Sequence, residues 1–549
     1  MTAGRSVKTG LISVDIQSHW TWSSTLLQSV SGPYWYAGAA VVQILCFGII
    51  AVYIKKRAPS AHTVLEIVHA RWGTGARICF FYFLMVTAII VSGQLILGGS
   101  AVINALTGMN IYAAIFIIPF TVVIYAATGG LKAVSCWGIT IVDQAYWQSA
   151  IAARPSAAYK GYIIGGLLWL AIPLGLGNAL GLGVRALDLP VTPLESGSGL
   201  TPPAVAEVIL GKFGTILIII MILMAITSAG SAEMVSFSSL VTYDLYKPYF
   251  DKNASNKRLL LVSRLSIAFF GLVMAVASVI FYKANINLNF LYFLMATAIC
   301  GGVPPLAASI TWARCSKFAA ITAAFVGQAM GIAAWLVECH IEFGVLNTTT
   351  LQQIGPALTG GCFSLFISLI LVVVLSWLVP QHYDWKNMAS IQVYSDITRD
   401  KRSIAKEESI EALNKAERTI WIWAGVLTFV FLFGWPLLTL PAGVWSKGYF
   451  TFYIVLSFVW ALVAAVLALS LPIIESRHII YAVLGSFLPG CSFLTRWAEQ
   501  HDLEEQQQGQ ETIEGAQDYK EPAVDATPAP PLSKGEFHVT EESHPGVSA

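Results

Sequence analysis

Repeated apolar runs of about twenty residues constrain this chain more than any other feature, since that length of helix crosses the hydrocarbon core of a bilayer. The runs cover 34–54, 78–106, 111–128, 161–182, 215–240, 259–281, 290–312, 318–337, 362–378, 420–440 and 450–471. Two more segments, 11–30 and 133–153, are apolar but carry polar groups, and a soft stretch at 479–493 suits the membrane surface. Backbone N–H and C=O groups must be satisfied internally in lipid, so the pattern predicts an all-α polytopic bundle of about 11–13 hydrophobic helices.

Composition agrees. Hydrophobic residues make up 56% of the 549, charged residues 11%, and the mean hydropathy is +0.68; soluble chains carry about 25% charged residues. A net charge of +1 argues against nucleic-acid binding. The eight cysteines form no CxxC and read as small buried hydrophobes. Arg5 and Lys8 lead into a polar, Trp-rich stretch, so no cleavable signal peptide is expected. HExxH, GxxxxGK and GxSxG are all missing, which predicts a non-enzyme needing no cofactor. Gly175, Gly177 and Gly181 mimic a dinucleotide loop but lie inside an apolar run, where close helix packing accounts for them.

The expected organisation is a membrane bundle over 1–495, with a connector at 380–419, and a disordered acidic tail over 496–549. The connector holds seven basic and seven acidic residues, as a solvated helical segment would. Lys and Arg favour cytoplasmic loops. Arg5/Lys8, Lys55–Arg57, Lys132, Arg154/Lys160, Lys247, Arg314/Lys317 and the connector mark that side, and the tail comes out cytoplasmic. The loop 341–358 lacks Lys and Arg and carries the sequon Asn347-Thr348-Thr349, as an external loop would; Asn253-Ala254-Ser255 sits beside Lys247 and reads as silent. One conflict stands out. Lys132 and Arg154 both demand the cytoplasm, yet one apolar segment lies between them. Either 133–153 is re-entrant or a helix is missing there.

The run Val142-Asp143-Gln144-Ala145-Tyr146-Trp147-Gln148 puts a carboxylate, two amides and two aromatics into this apolar background. A charge at membrane depth costs roughly 2.5–3.5 kcal/mol on insertion scales, so such a residue points to a solute pathway. Trp147 lies four residues after Asp143, on the same helical face.

Several separated stretches resemble the urea active transporters of fungi and plants, a branch of the sodium:solute symporter family. They are Thr2 to Gly10, Trp20-Thr21-Trp22 with Thr25 to Gln28, Gly32-Pro33-Tyr34-Trp35-Tyr36, and Arg57 through Thr63. Gly98 to Val102, the Asp143 run through Arg154-Pro155, Thr227 through Glu233, and Ala442 through Phe450 complete the set, so that the similarity reaches to about residue 478. The resemblance implies two inverted five-helix repeats plus outer helices, with substrate and coupling ion at the midplane where broken helices expose backbone groups. It also implies a plasma-membrane symporter for urea, with polyamines as a further substrate class, driven by H⁺ or Na⁺; protein partners are not indicated. This chain departs from the pattern in lacking the first helix, about ten residues between Gln28 and Gly32, and roughly two spans between Ala133 and Val142. A non-transporting sensor or a decayed paralogue of the same fold is the alternative.

Urea is planar and neutral, with two NH₂ groups and one carbonyl, so its site needs an acceptor, a donor and flat aromatic walls. Asp143 and Gln144 suit the polar roles, and Trp20, Trp22, Tyr36 and Trp147 the walls. Thr63 and Tyr292 match family positions; helix capping and core packing are their competing readings. Carried over residue by residue, the cation site is the carbonyls of Ser18, Thr21 and Ala225 with the Ser228 hydroxyl. Ala229 stands where a second hydroxyl is expected, which favours H⁺ over Na⁺, with Asp143 and Glu233 as candidate proton carriers. Asp15, Gln17 and His19 sit at i, i+2 and i+4 in the broken helix, where Asp15 and His19 share a face and are spaced to pair.

Overall fold

The computed structural model describes residues 31–133, 141–153, 155–391, 410–435, 437 and 445–475. The readings placed on 1–30 (Asp15, Gln17, Ser18, His19, Trp20, Thr21 and Trp22) and on the 496–549 tail lie outside the described residues.

The described residues fold as helices joined by short turns. In order they are α1 Ser31–Arg57, α2 Val64–Thr107, α3 Ile111–Ala133, α4 Gln144–Ala152, α5 Pro155–Trp169, α6 Asn178–Ala186 and α7 Thr201–Ser239. Then come α8 Asn256–Lys283, α9 Leu288–Ile299, α10 Val303–Thr311, α11 Lys317–Phe343, α12 Ile354–Leu378, α13 Ile410–Thr428 and α14 Lys447–Glu475. Among the described residues nine helical stretches are long and apolar enough to cross a membrane. Their outward faces carry large apolar side chains, such as Phe366, Ile370 and Trp377 on α12 and Phe452, Leu462 and Leu469 on α14. Patches on that scale are untenable in water and are the expected surface toward lipid.

Two helices start well before the apolar runs that announce them. The run at 78 belongs to a helix beginning at Val64, and the run at 215 to one beginning at Thr201. In each case a glycine with positive φ, Gly73 (78°) and Gly211 (58°), breaks the helix and lets the chain turn before it enters the apolar stretch. Segments 172–177, 240–246 and 429–434 are π-helical.

Helices α11 and α12 pack through small residues. A Cβ on Gly331 would sit 2.5 Å from the Ser364 Cβ and 2.8 Å from the Gly360 carbonyl oxygen, so only glycine permits this approach. Gly331→Leu is expected to lower the thermal midpoint of the purified protein, since overpacking costs about 1–3 kcal/mol. Gly425→Leu, with nothing within 4 Å, should leave it unchanged. The small-residue reading of Gly175 also fits, because a Cβ there would lie 2.9 Å from the Ala461 Cβ on α14.

Two arginines organise one end of the bundle. The Arg71 guanidinium donates to the carbonyls of Ala308 (2.8 Å), Ser309 (2.7 Å) and Cys315 (3.0 Å), and also to that of Trp312. Arg57 donates to the carbonyls of Ile310 and Thr311 and lies over the Trp385 ring, 4.0 Å from its centroid. These carbonyls belong to the end of α10 and the turn after it, where a helix leaves its acceptors unfilled. The start of the connector is therefore docked, not solvated. Met388 is fully buried, the Gln381 N–H donates to the Arg314 carbonyl (3.0 Å), and Tyr383 and Trp385 lie beside Arg71. Burial raises the phenol of Tyr383 above its ordinary range, against the opposing pull of Arg71.

Candidate functional site

The Asp143 run folds as the start of a short helix. Asp143 adopts extended backbone (φ −123°, ψ 121°) and its Oδ1 accepts from the Ala145 N–H at 2.8 Å, which makes it the N-cap of α4. At nine residues, α4 spans only ~14 Å, too short for the ~30 Å hydrocarbon core. This resolves the orientation conflict in one respect, since α4 by itself does not cross.

Every polar group at the head of α4 faces inward. Asp143, Gln144 and Gln148 are each at most 2% exposed. The Gln144 Oε1 accepts from the Val64 N–H (3.0 Å) and its Nε2 reaches the His62 carbonyl (3.5 Å), so this amide caps the start of α2. Thr63 caps the same end, its Oγ1 accepting from the Glu66 N–H at 3.2 Å. Gln148 Nε2 donates to the Ser239 hydroxyl at 2.8 Å, joining α4 to α7. At the other end of α4 the buried Lys55 ammonium donates to the Ile151 carbonyl at 2.8 Å, a cation at a helix C-terminus.

Glu233 on α7, 1% exposed, lies against the Asp143 carboxyl group. Asp143 Oδ2 and both Glu233 oxygens accept no hydrogen bond from a described donor. Two carboxyl groups facing each other away from water are satisfied when one proton lies between them.

The structure brings Asp143, Gln144, Thr63 and Glu233 into one neighbourhood. Trp147 is elsewhere in role: it is fully buried, its Nε1 donates to the Ile141 carbonyl (2.9 Å), and its ring meets Phe47 edge-on at 5.8 Å. Tyr292 sits on α9, half-buried against the main core and edge-on to Phe293. Tyr36 falls on α1. Ala225 and Ser228 lie in regular α7, where the Ser228 carbonyl accepts from the Ser231 hydroxyl at 2.8 Å.

Three groups were missed from sequence. Gln94 on α2 is 1% exposed and neither end of its amide has a hydrogen-bond partner among the described residues. Asp244 is buried in the π-helical stretch after α7, beside Thr63. Arg71 is the carbonyl clamp described above. A lone amide inside the apolar run 78–106 was the available signal for Gln94; Asp244, four residues past the end of the run at 240, had none.

The sodium:solute symporter profile matches residues 26–144. The urea-proton symporter DUR3 of Oryza sativa subsp. japonica is 38% identical, covering 86% of this chain and 79% of the rice protein. The chain belongs to the sodium:solute symporter family. Similar too are the probable urea active transporter 1 of Schizosaccharomyces pombe, 31% identical over 88% of this chain and 86% of that one, and the urea active transporter of Saccharomyces cerevisiae, 28% identical with the same two coverages. The symporter family is one of multi-pass membrane transporters, not enzymes, and its five-plus-five helical bundle is the architecture expected from the resemblance. The rice alignment extends over 571 positions, more than the 549 residues present here, so this symporter lacks internal segments that its relative has.

Proposed function

We propose that the chain imports urea across the plasma membrane together with a proton, by alternating access, with its C-terminal tail in the cytoplasm. The Asp143–Glu233 pair carries this reading. A buried pair that holds one proton when satisfied, and faces two sides of a membrane in turn, couples proton movement to the conformational cycle. Sodium is the weaker fit. A hard cation wants about six oxygens, and Ala229, 6% exposed on α7, offers no hydroxyl where the family pattern supplies one.

Urea recognition rests on the same place. The Asp143 Oδ2 has no hydrogen-bond partner among the described residues and can accept from an NH₂ group of urea. Gln144 and Trp147, with their polar atoms engaged, hold α4 in position. Trp20, Trp22, Tyr36, Thr63 and Tyr292 remain the proposed aromatic and polar surroundings, and Ser18, Thr21, Ala225 and Ser228 the proposed cation ligands, on the strength of the resemblance.

The test is uptake of ¹⁴C-urea by yeast lacking its own carrier, with external pH recorded. The loaded form needs the proton on the pair, so accumulation should be strong at pH 5, collapse by pH 8, and alkalinise the medium as urea enters. Saturable binding without accumulation, from protein shown to be at the cell surface, would instead establish a sensor.

A further inference from the structure

A second group of titratable side chains lies on the face that carries Lys55, Arg57 and Lys247. Asp244 is 3% exposed and sits in the π-helical stretch Leu240–Tyr246; such stretches in α-helices recur at functional positions. Its carboxyl group lies beside the Thr63 hydroxyl, with Glu66 and Arg77 close by. Glu66 in turn accepts from the His62 N–H (2.7 Å) and stands 3.3 Å from His62 Nδ1. The His62 ring stacks on Tyr243, the neighbour of Asp244, with centroids 5.1 Å apart. Glu66, Tyr243, Arg77, His69 and Lys247 line an open cavity of about 1030 Å³. Thus one side of this cluster is buried protein and the other is solvent.

The cluster adjoins the Asp143 site through shared backbone. Thr63, which touches Asp244, precedes Val64, whose N–H is held by Gln144, and Gln144 follows Asp143. The groups facing Asp244 are Thr63, Glu66 and Arg77, from α2 and its cap, while Tyr243 and Lys247, close to Asp244 in sequence, line the cavity. Helix α8 also packs here, and next to this segment its Ser263 meets Ser238 at 3.0 Å.

We propose that Asp244, Glu66 and His62 form the exit path by which the coupled proton leaves the Asp143–Glu233 pair for the cavity. This rests on the proton-symport reading above. The proton leaves the pair, passes to the Asp244 carboxylate and from there to Glu66 or His62, and is lost to water in the cavity. Each acceptor returns to its starting charge, so one proton crosses per cycle. Water admitted from the cavity bridges the step past Gln144, and the Thr63 hydroxyl, able both to donate and to accept, hands the proton on.

An exit path matters for net transport and not for exchange, because exchange returns the carrier with its proton still bound. Full-length protein is reconstituted in vesicles, and ¹⁴C-urea counterflow is compared with pH-gradient-driven uptake for wild type, Asp244→Asn and Glu66→Gln. Both variants should keep counterflow within about twofold while gradient-driven uptake falls at least about tenfold. Equal losses in the two assays, or no loss in either, would overturn the exit path. If Asp244→Asn does not fold, Glu66→Gln on the cavity wall decides alone by the same split. A wild type with no counterflow would sink the urea-transport reading itself, a result distinct from either failure.

Discussion

Asp143→Asn should reduce uphill urea accumulation to equilibration, with the internal-to-external ratio near one. For one-to-one coupling, each unit of pH gradient supplies about 1.4 kcal/mol, a tenfold accumulation. A potential of about 100 mV adds roughly 2.3 kcal/mol more. With two pH units the wild type therefore has the force for more than about a hundredfold accumulation, and the variant loses nearly all of it. Asn retains the cap, because its Oδ1 can accept from the Ala145 N–H as Asp143 does at 2.8 Å. Protein at the cell surface should be unchanged, which separates lost coupling from lost folding. Glu233→Gln should behave alike, since either change removes one of the two carboxyl groups. An Asp143→Asn carrier that concentrates urea like wild type would leave the pair without a role in coupling.

Arg71→Ala should have the largest effect on stability. It removes a charged donor from four carbonyls, those of Ala308, Ser309, Trp312 and Cys315, three of them bonded at 2.7–3.0 Å. Ala308, Trp312 and Cys315 keep a second donor, from the Trp312 N–H, the Cys315 N–H and the Trp72 indole, so the Ser309 carbonyl is the one exposed to the loss. One buried acceptor left unpaired costs about 1–3 kcal/mol, and the lost charged bonds and packing add to it, so a loss of about 2–4 kcal/mol is expected. That is a large share of the roughly 5–15 kcal/mol by which folded domains are stable. Gel-filtration profiles and thermal midpoints in detergent should show little monodisperse protein. Arg71→Lys should rescue only partly, since an ammonium cannot span the fork of acceptors that a planar guanidinium fills. A profile identical to wild type for Arg71→Ala would show that the carbonyls are satisfied without it.

The apolar runs located the helices because length and hydropathy are enough when the solvent is lipid. They mislaid the beginnings of α2 and α7, where Gly73 and Gly211 break the helix outside the apolar stretch and composition gives no signal. Asp143 stood out because a carboxylate among apolar residues needs an explanation. Its pairing with Glu233, ninety residues on, follows from how α4 packs on α7 and was open to sequence only as two separate candidates. Trp147 misled for a physical reason. Spacing placed it on the Asp143 face, but a nine-residue helix wrapped by neighbours buries every face, and the indole found Ile141 and Phe47. Arg57 and Arg71 were harder still. One read as a marker of the cytoplasmic side and the other went unremarked, because tertiary acceptors leave no trace in local sequence.

Helix α4 is tethered at both ends. Its first residue is tied to α2 by the Gln144 side chain, its middle to α7 by Gln148, and its last turn to α1 by Lys55. A rod fixed to three neighbours cannot move independently of any of them. Any tilt of α1 is therefore handed through α4 to α2 and α7 at once, and Asp143 sits at the head of the part that hands it on. On this arrangement the stroke and the chemical step share one part.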